Sequence, residues 1–596
     1  MKRLLSLASL IMILLLAGPV AAESCRVLHF RAIRAPDGEA ACVVANGKIL
    51  MRLRGEDLDG LLSRASIVAD KLNAVAAAGV SAGNVATRGS RTETRIVIRE
   101  QNVISIDGVL ARNCNSSHLG LAQAWAGNIK NAFAQRYITF APHDELTVPV
   151  GETRAIRWGG AIAVVDSAKT ADDKVARVEI QDAEKKLEVR ALTTGTTTLT
   201  VSALDCQHTI KVDCRKWAAH VPFASELRIS GSQTRTQALT RAAESLIRSA
   251  VQVEPNASLT IGEPLSVTAG YRVDVSASGE TYLPVNRLHT VAISRIEAPK
   301  HQAGVVLVSN FPEKLTQPAV LLRESVVDGR TVRLLWHHIN VSSAPLWMTV
   351  RIHNVGDVAT PVHITEAGAG PSNDEIFAGH SAARRFLEDL FCGTGYVLTV
   401  PAGSTVELSA VKLRPRELAS GVARFAPLQS TALIVEVACH ALTEPRSFIS
   451  PVPEALRGSP QLSGLQFEGR RDVELRHSVG GNWGFYRLGD GRDVNSHGQL
   501  LAGSYGVLHR VNASVENPTD RPAIVELAVG PRGGVARGSF WIAGKLVETP
   551  VLNNSSEVVI HKGTVAPGGK YQIEVATIPE SGSHYPVMLT LRSWQK

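Results

Sequence analysis

The side chains best suited to chemistry in this sequence are histidines and carboxylates between residues 337 and 380. They are His337, His338, His353, His363, His380, Asp374 and Glu375. Imidazole nitrogen is a preferred ligand of copper and zinc. The cluster therefore predicts a candidate Cu or Zn site, with the candidate ligands His338, His353, His363 and His380.

The spacing of these histidines limits the metal hypothesis. His337 and His338 are neighbours on a predicted strand, so their side chains point to opposite faces of the sheet unless a bulge intervenes. Only one of them can meet His353 or His363 across paired strands. No spacing matches a recognised zinc motif. The alternative is that the chain holds no cofactor and that these are half-exposed strand histidines or hydrogen-bonded core histidines.

Adjacent carboxylates give a second hypothesis. Asp374 and Glu375 form one pair in a predicted loop, and Glu388 and Asp389 form another on a predicted helix. Glycoside hydrolysis needs two acids ~5 to 9.5 Å apart, so a carbohydrate-active or metal-dependent hydrolase within 297–441 is an alternative function. Solvated loop and helix surfaces explain both pairs more simply. The motifs HExxH, GxGxxG and the P-loop do not occur in the sequence.

Three aromatic residues stand beside glycine-rich turns near residue 480. Trp483, Phe485 and Tyr486 follow the run SVGG, and exposed aromatic rings often stack on ligands at binding surfaces. Polysaccharide is therefore a possible partner. The alternative is a buried aromatic cluster between two sheets.

The elements that position these residues are mostly short strands. Alternating runs rich in Val and Thr, bounded by Gly, Pro and Asn, predict β-sandwiches, whereas Leu61, Ala65, Val68 and Leu72 recur at helical spacing. A second helix is predicted after Ser116 or Ser117 as N-cap. Trp125 on this helix is predicted to be a core aromatic, and a ligand contact is the alternative. We expect a multidomain, mainly β chain with Ig-like or β-sandwich domains and two small α+β units. The predicted domains are 23–138 (α+β), 139–215 (small β-sandwich), 216–296 (α+β), 297–441 (β-sandwich) and 442–596 (β-sandwich).

Two distant turns share the same residues. Asn354, Asp357 and Pro361 precede a strand, and Asn517, Asp520 and Pro522 precede another. Shared turn chemistry also arises independently. We interpret the two turns as an internal duplication of a sandwich module.

One stretch has a family resemblance. The segments LTVPVGETRAI, DDKVARVEI and LEVRALTTGTTTLTV lie within about 146–201. This region resembles the N-terminal region of pilus-assembly and secretin-type secretion proteins. The resemblance implies a periplasmic module that makes protein contacts within an envelope-spanning assembly. It implies no pore, because nothing downstream resembles the secretin barrel, and it supplies no catalytic residue.

The N-terminus and the composition indicate export. Lys2 and Arg3, an apolar run and small residues up to Ala22 have the order of a secretory signal peptide over 1–22. A membrane anchor is the alternative, but the run is shorter than the ~20 residues that a span needs. No later stretch is long and apolar enough to cross a bilayer. Without Lys2 and Arg3 the net charge falls from +8 to about +6, and the scattered arginines do not favour nucleic-acid binding.

An exported chain can keep disulfides. The seven cysteines are Cys25, Cys42, Cys114, Cys206, Cys214, Cys392 and Cys439. From their order we predict the pairs Cys206 with Cys214, Cys25 with Cys42, and Cys392 with Cys439. Cys114 is then a buried small side chain.

These observations predict a periplasmic, secreted or cell-surface protein of bacterial type. We expect a non-enzymatic binding or assembly component whose partners are envelope or extracellular proteins, with a pilus or secretion apparatus as the candidate assembly.

Overall fold

A computed structural model describes residues 25–162, 164–231, 235–299, 302–326, 329–429, 432–443, 447–456, 466–491, 493–495 and 498–595. The predicted signal peptide at 1–22 lies outside these residues. The fold is multidomain and mainly β, as predicted. The chain folds into two compact units. The first comprises the residues up to Ala218 together with Ser278–Pro284, and the second comprises Ala219–Ala277 and the chain from Val285 onward.

The first unit contains an α+β part and a sandwich. Its strands are β1 Arg26–Val27, β2 Phe30–Arg34, β3 Ala40–Ala45, β4 Lys48–Arg54, β5 Val85–Gly89, β6 Glu93–Ile98, β7 Gln101–Asp107, β8 Tyr137–Ala141, β9 Glu145–Pro149, β10 Thr153–Gly160, β11 Ser167–Thr170, β12 Ala176–Gln181, β13 Lys186–Ala191, β14 Gly195–Ala203 and β15 Cys206–Arg215. Its helices are α1 Leu58–Ala77, α2 Gly108–Asn113 and α3 His118–Phe133.

The α+β part follows the helical spacing in the sequence. Ala65, Val68 and Leu72 of α1 are buried in its core. Ser117 caps α3 by accepting a hydrogen bond from the Gly120 amide at 3.1 Å, as predicted from its side-chain oxygen. Trp125 is buried in the same core, which confirms its interpretation as a core aromatic.

The sandwich that follows has two sheets around one apolar core. Their strand orders are β1-β8-β10-β13-β12 and β11-β14-β15-β9. Strand β1 pairs with β8 in parallel, Val27 beside Ile138. The sandwich predicted for 139–215 therefore also takes a strand from the N-terminal segment.

The second unit is larger. Its strands are β16 Ala219–His220, β17 Ala224–Ser230, β18 Gln252–Val253, β19 Ser258–Ile261, β20 Leu265–Val267, β21 Gly270–Ser278, β22 Val285–Arg295, β23 Val305–Ser309, β24 Lys314–Leu315, β25 Ala319–Val326, β26 Val332–Asn340, β27 Leu346–Asn354, β28 Thr360–Ser372, β29 Gly395–Val400, β30 Ser404–Leu413, β31 Leu418–Pro427, β32 Leu433–Ala441, β33 Ile449–Pro451, β34 Gln466–Glu468, β35 Arg470–Ser478, β36 Gly484–Leu488, β37 Asp493–Val494, β38 Leu500–Leu501, β39 Leu508–Glu516, β40 Ala523–Pro531, β41 Ser539–Ile542, β42 Lys545–Glu548, β43 Val558–Val565, β44 Lys570–Thr577 and β45 Val587–Gln595. Its helices are α4 Thr236–Ala250 and α5 Glu375–Phe391.

The domain boundary predicted near residue 296 differs from the structure. One sheet runs in the order β19-β21-β22-β17-β29-β28-β31-β26-β23-β34. Within it Ile229 of β17 pairs with Tyr396 of β29, and α4 packs on β29. The segment 216–296 is therefore continuous with 297–441 and does not form a separate α+β domain.

The C-terminal sandwich also joins its neighbour. Its sheets are ordered β35-β39-β44-β41-β42 and β36-β45-β40-β43. A shared apolar core brings Val306 and Phe386 together with Val507 and Ile578. Helix α5 packs against β28, β31 and β41, so it supports both sandwiches at once.

The turns at Asn354 and Asn517 share two hydrogen bonds. Asn354 is fully buried; its Nδ2 donates to Val358 O at 2.7 Å, and its Oδ1 accepts from the Gly356 amide at 3.0 Å. Asn517 repeats this pattern with Arg521 O at 2.7 Å and the Thr519 amide at 3.1 Å. The two turns are therefore equivalent in geometry as well as in sequence.

All three predicted disulfides are wrong. Cys25 is bonded to Cys206, and Cys42, Cys214, Cys392 and Cys439 form no disulfide. Cys206 and Cys214 lie on the same strand, β15, and eight residues of strand at ~3.3 Å each hold them far apart. The order of cysteines along the chain misses the true pair because the pairing of β1 with β8 brings Cys25 back to the sandwich.

The other two predicted disulfides fail because Cys42, Cys392 and Cys439 lie in separate surroundings. Cys42 packs in a small apolar cluster with Ala40 and Val44. Cys439 on β32 donates its thiol proton to Gln317 O at 3.2 Å, whereas Cys392 is the exposed C-terminal cap of α5. Neither predicted pair can form in this fold.

Candidate functional site

A small polar cavity in the second unit is the candidate site, and we call it the His337 pocket. It has a volume of about 130 Å³. Its lining residues are Asn310, Glu313, His337, Glu375, Tyr505, Ser581, Gly582, Ser583 and His584. They come from the loop after β23, from β26, from the first turn of α5, from the segment before β39 and from the loop between β44 and β45.

His337 is the least satisfied polar side chain of the pocket. Only 3% of its side chain is exposed, and neither Nδ1 nor Nε2 has a hydrogen-bond partner among the described residues. Burial lowers the pKa of His337 to about 4, because a low-dielectric surrounding disfavours the charged imidazolium. A neutral imidazole offers one N–H donor and one lone pair, and both remain available to a ligand.

Two carboxylates stand beside this histidine. Glu313 Oε1 lies 3.8 Å from His337 Nε2. Burial raises the pKa of Glu313, and the charge of Glu375 raises it further, against the opposing charge of Lys314. None of the lining residues is Lys or Arg. The pocket is therefore negatively charged whenever both carboxylates are ionised.

Tyr505 closes one side of the pocket. Its hydroxyl donates to Ser583 O at 2.8 Å. Burial, assisted by the negative charge of Glu313, raises the pKa of Tyr505 to about 12. The Tyr505 phenol thus donates a hydrogen bond to the loop at 579–584 and stays protonated at neutral pH.

The loop at 579–584 lies directly on helix α5, and two glycines permit this. A Cβ on Gly582, whose φ is +77°, would overlap Glu375 O. A Cβ on Gly379 of α5 would overlap Ser581 O. The wall of the pocket therefore depends on close backbone contact at both positions.

The ion-paired His380 of helix α5 contacts the same loop, 579–584. His380 of α5 has Nδ1 2.8 Å from Glu580 Oε2 and Nε2 2.8 Å from Glu548 Oε2. Arg384 Nε donates to Glu548 Oε1 at 2.7 Å. Burial opposes a charge on His380, but the hydrogen bonds to the two glutamates outweigh it and raise the pKa of His380. His380 is therefore an anchor of the pocket wall.

The four predicted metal ligands do not come together. His338 Nε2 lies 2.9 Å from Ser309 Oγ, and His353 Nδ1 lies 2.7 Å from Thr405 Oγ1. His363 Nε2 lies 2.8 Å from Ser230 Oγ. None of them belongs to a ligand group that could hold a metal within the described part of the chain. The interpretation as hydrogen-bonded core histidines fits their positions, and the separation of His337 from His338 by strand alternation places only His337 in the pocket.

The two residues of each predicted carboxylate pair also lie in different surroundings. Asp374 caps α5 by accepting from the Phe377 amide at 2.9 Å, so only Glu375 of that pair lines the pocket. Glu388 lies 3.8 Å from Arg384 on the helix surface. Asp389 lines a different, smaller cavity, and burial raises its pKa to about 6.

Glu313, Tyr505 and His584 were not predicted from the sequence. Glu313 follows β23, which pairs in parallel with β26, the strand of His337. Tyr505 and His584 come from the C-terminal sandwich. No local spacing signals these contacts, because they depend on how the two sandwiches join.

The aromatic residues near 480 lie on another surface. Trp483 and Phe485 are 48% and 56% exposed, so the interpretation as a buried cluster is wrong for both. Tyr486 is half-buried, and its hydroxyl lies 2.7 Å from His509 Nδ1. Stacking of sugar rings on Trp483 and Phe485 stays a prediction.

None of the helices formed by the described residues combines the length and apolar character needed to cross a bilayer.

No protein-family model matches the chain, and no curated protein matches its sequence. Among solved structures, the M60 catalytic domain with the CBM51-1 and CBM51-2 domains of Clostridium perfringens ZmpB is 8% identical, over 81% of this chain and 59% of that chain, with a TM-score of 0.15. Domains 5-6 of the S-layer protein SbsC are 8% identical, over 47% of this chain and 94% of theirs, with a TM-score of 0.13. A pair of titin Ig domains is 9% identical, over 26% of this chain and 94% of theirs, with a TM-score of 0.11. Such low TM-scores carry no functional argument.

Proposed function

We propose that this chain is an exported, non-enzymatic binding protein of the bacterial envelope or cell surface, and that its His337 pocket holds a positively charged side chain of a protein partner. The observation that carries the proposal is the state of His337. It is buried and neutral, both of its nitrogens lack partners among the described residues, and the pocket that it shares with Glu313 and Glu375 has no Lys or Arg in its lining.

A lysine or arginine side chain complements this pocket. The ammonium of lysine needs acceptors, and Glu313, Glu375 and the lone pair of His337 supply them. Hydrogen bonds between charged groups are roughly twice as strong as neutral ones. A volume of about 130 Å³ suits the end of one side chain better than a whole small molecule, since ligand pockets typically measure ~300 to 1,000 Å³.

Three features support export and assembly. The disulfide between Cys25 and Cys206 is typical of oxidising compartments outside the cytosol. The first 22 residues have the order of a signal peptide. The resemblance of 146–201 to pilus-assembly and secretin-type proteins implies protein contacts, and we extend the proposal to an envelope assembly of that kind.

One observation favours a second function, a hydrolase at the same pocket. Glu313 has a raised pKa beside Glu375 and His337, and a carboxyl group with a raised pKa beside a second one is a common general acid. A hydrolase would release product from a polysaccharide or peptide, and Glu313→Gln would abolish that release. A binding protein would release none.

Photo-crosslinking tests the proposed partner class. Phe311 is 79% exposed and lies between the lining residues Asn310 and Glu313, so a photoreactive amino acid there samples whatever occupies the pocket. We expect it to crosslink a protein in envelope preparations, and the combined change Glu313→Gln with Glu375→Gln to remove the product. Phe223, 73% exposed elsewhere on the unit, is the control position. A product that persists in the double variant, or that forms equally from position 223, would reject the proposal.

A further inference from the structure

Three exposed aromatic side chains gather on the sheet β36-β45-β40-β43. Trp483 immediately precedes β36, Phe485 lies on β36 and Trp594 lies on β45. Their exposed fractions are 48%, 56% and 40%. We call these three residues, together with Arg592 of β45, the aromatic platform. None of them lines the His337 pocket, so the proposed function leaves the platform unexplained.

Strand alternation places the platform on the outer face of this sheet. Leu591 of β45 is buried in the core of the C-terminal sandwich, so Arg592 and Trp594 point away from that core. Phe485 pairs with Thr590 across the two strands, and directly opposed residues share a face. Four residues of strand separate Thr590 from Trp594, a length of ~13 Å. The platform is therefore an elongated strip on the surface.

Arg592 links the aromatic rings. Its guanidinium carbon lies 5.5 Å from the ring centroid of Trp483 and 5.7 Å from that of Trp594. The rings of Trp483 and Phe485 have centroids 6.4 Å apart. These distances are typical of cation–π and aromatic contacts. The order along the strip is therefore Phe485, Trp483, Arg592 and Trp594.

Ion pairs hold Arg592 in place and neutralise it. Its Nη1 donates to Glu557 Oε1 at 2.5 Å, and its Nη2 donates to Glu526 Oε2 at 3.3 Å. Glu526 is buried, and Lys562 Nζ lies 3.1 Å from its other carboxylate oxygen. A guanidinium fixed by two carboxylates keeps the rings in position before a ligand arrives, which lowers the entropy cost of binding. The two cations and two carboxylates balance, so the centre of the strip is close to neutral.

Charge and area together favour a neutral sugar polymer as the occupant. Nucleic-acid binding depends mainly on cations that contact phosphates, and Arg592 and Lys562 are already paired with carboxylates. Three rings that are about half exposed offer roughly 300 Å², whereas each partner of a standard protein interface buries ~800 Å². A pyranose ring presents an apolar C–H face to an aromatic ring and hydroxyl groups at its rim. A strip ~13 Å long matches a chain of such rings better than a single sugar.

We propose that the aromatic platform binds a neutral polysaccharide, whose pyranose rings stack on Trp483, Phe485 and Trp594. Arg487 supports this role, because it is exposed two residues after Phe485 on the same face of β36 and offers N–H donors to sugar hydroxyls. This binding does not depend on the His337 pocket. The platform thus gives the C-terminal sandwich a function of its own, carbohydrate binding.

Affinity electrophoresis of the full chain through gels that contain hydroxyethylcellulose, laminarin or glycol chitin tests the platform. We expect at least one of these neutral polysaccharides to retard the chain. Binding should weaken at least roughly tenfold in Trp483→Ala and in Trp594→Ala, by analogy with the loss of an aromatic side chain on which a base stacks. Trp217→Ala is the matched control, because Trp217 is 39% exposed and lies outside the platform. That variant should bind as the parent does.

A fluorescence measurement on the unaltered chain guards against variants that fail to fold. Acrylamide quenching of tryptophan emission should fall when the retarding polysaccharide is added, and folded Trp483→Tyr, which keeps a ring, should still bind. No retardation by any of the three polysaccharides, or unchanged binding in either Trp483→Ala or Trp594→Ala, would overturn the proposal. If no polysaccharide binds and a photoreactive residue at position 485 crosslinks an envelope protein, the strip belongs to a protein partner and the proposal fails.

Discussion

His380 Nδ1 lies 2.8 Å from Glu580 Oε2, although the two residues are 200 positions apart in sequence. The contact joins helix α5 of one sandwich to the loop between β44 and β45 of the other. Because the next residues of that loop, Ser581 to His584, line the His337 pocket, the shape of the pocket depends on this pair.

The pair makes the stability of the second unit depend on pH. The folded-state pKa of His380 is raised above 6.5, so its contribution is fully present below about pH 6.5 and is lost as pH rises through the folded value. The pKa of the buried Glu580 is also raised, chiefly by burial, and acts in the same direction. Burial alone would raise the pKa of Glu548, but its contacts with Arg384 and His380 lower it overall. Glu548 therefore contributes stability that is lost only in acid. Arg537 is the other charged group that faces His380.

We therefore predict that His380→Gln lowers the free energy of unfolding by about 3 kcal/mol near pH 6, since it leaves a buried carboxylate without its partner. The deficit should shrink as pH rises above 6.5. Chemical denaturation at several pH values measures it, and the exposed His220 changed to Gln is the control. A deficit that does not vary with pH would contradict the ion-paired state of His380.

Gly379→Ala should loosen the pocket wall. The new methyl group would overlap Ser581 O, and we expect a loss of about 1 to 3 kcal/mol from overpacking. Gly127→Ala in helix α3 is the matched control, because its Cβ would meet nothing within 4 Å and alanine favours a helix by up to ~1 kcal/mol. Thermal unfolding compares the two variants. Equal effects would show that the loop does not lie on α5 as described.

Removal of the disulfide should destabilise the first unit. Cys206→Ser opens a link between residues 181 positions apart, and loss of a native disulfide typically costs about 2 to 5 kcal/mol. Peptide mapping of the unreduced protein should recover Cys25 joined to Cys206. Cys392→Ser, which removes an exposed free thiol, should leave stability unchanged. Recovery of Cys206 joined to Cys214 would contradict the fold of β15.

The two equivalent turns should respond alike to substitution. Asn354→Ala and Asn517→Ala each remove the donor of a buried carbonyl, Val400 O and Val565 O respectively, at a cost of about 1 to 3 kcal/mol. Asn512→Ala, an exposed position on β39, should change stability by less than about 0.5 kcal/mol. A large difference between the first two variants in denaturation midpoint would argue against their structural equivalence.

Local patterns in the sequence predict the elements of this fold well. The spacing of Ala65, Val68 and Leu72 predicts α1, and the serines at 116 and 117 predict the start of α3 to within one residue, because both depend on neighbours one turn away. Alternation likewise predicts that His337 and His338 point apart. The equivalence of Asn354 and Asn517 is readable for the same reason, since an Asn turn bonds to residues two and four positions on.

Contacts between distant segments cannot be predicted from local sequence patterns. The pairing of Cys25 with Cys206, the approach of Glu313 to His337 and the approach of Arg592 to Trp483 each depend on which strands become neighbours. A single sequence does not encode that choice in any local period. The metal hypothesis for His338, His353, His363 and His380 rests on proximity in sequence, and the strands carry these residues to separate hydrogen-bonding partners.

The measurement that tests the proposed pocket most directly is calorimetric titration of the mature chain with N-acetyl-lysine amide, alongside its uncharged norleucine analogue. We predict saturable binding of the lysine probe with a Kd on the order of 1 mM, as a few well-placed ligand atoms allow. It should weaken at least roughly tenfold in Glu313→Gln, and Glu388→Gln on the exposed face of α5 should bind as the parent does. Equal binding of the two probes, no saturable binding of the lysine probe, or unchanged affinity in Glu313→Gln would contradict the account.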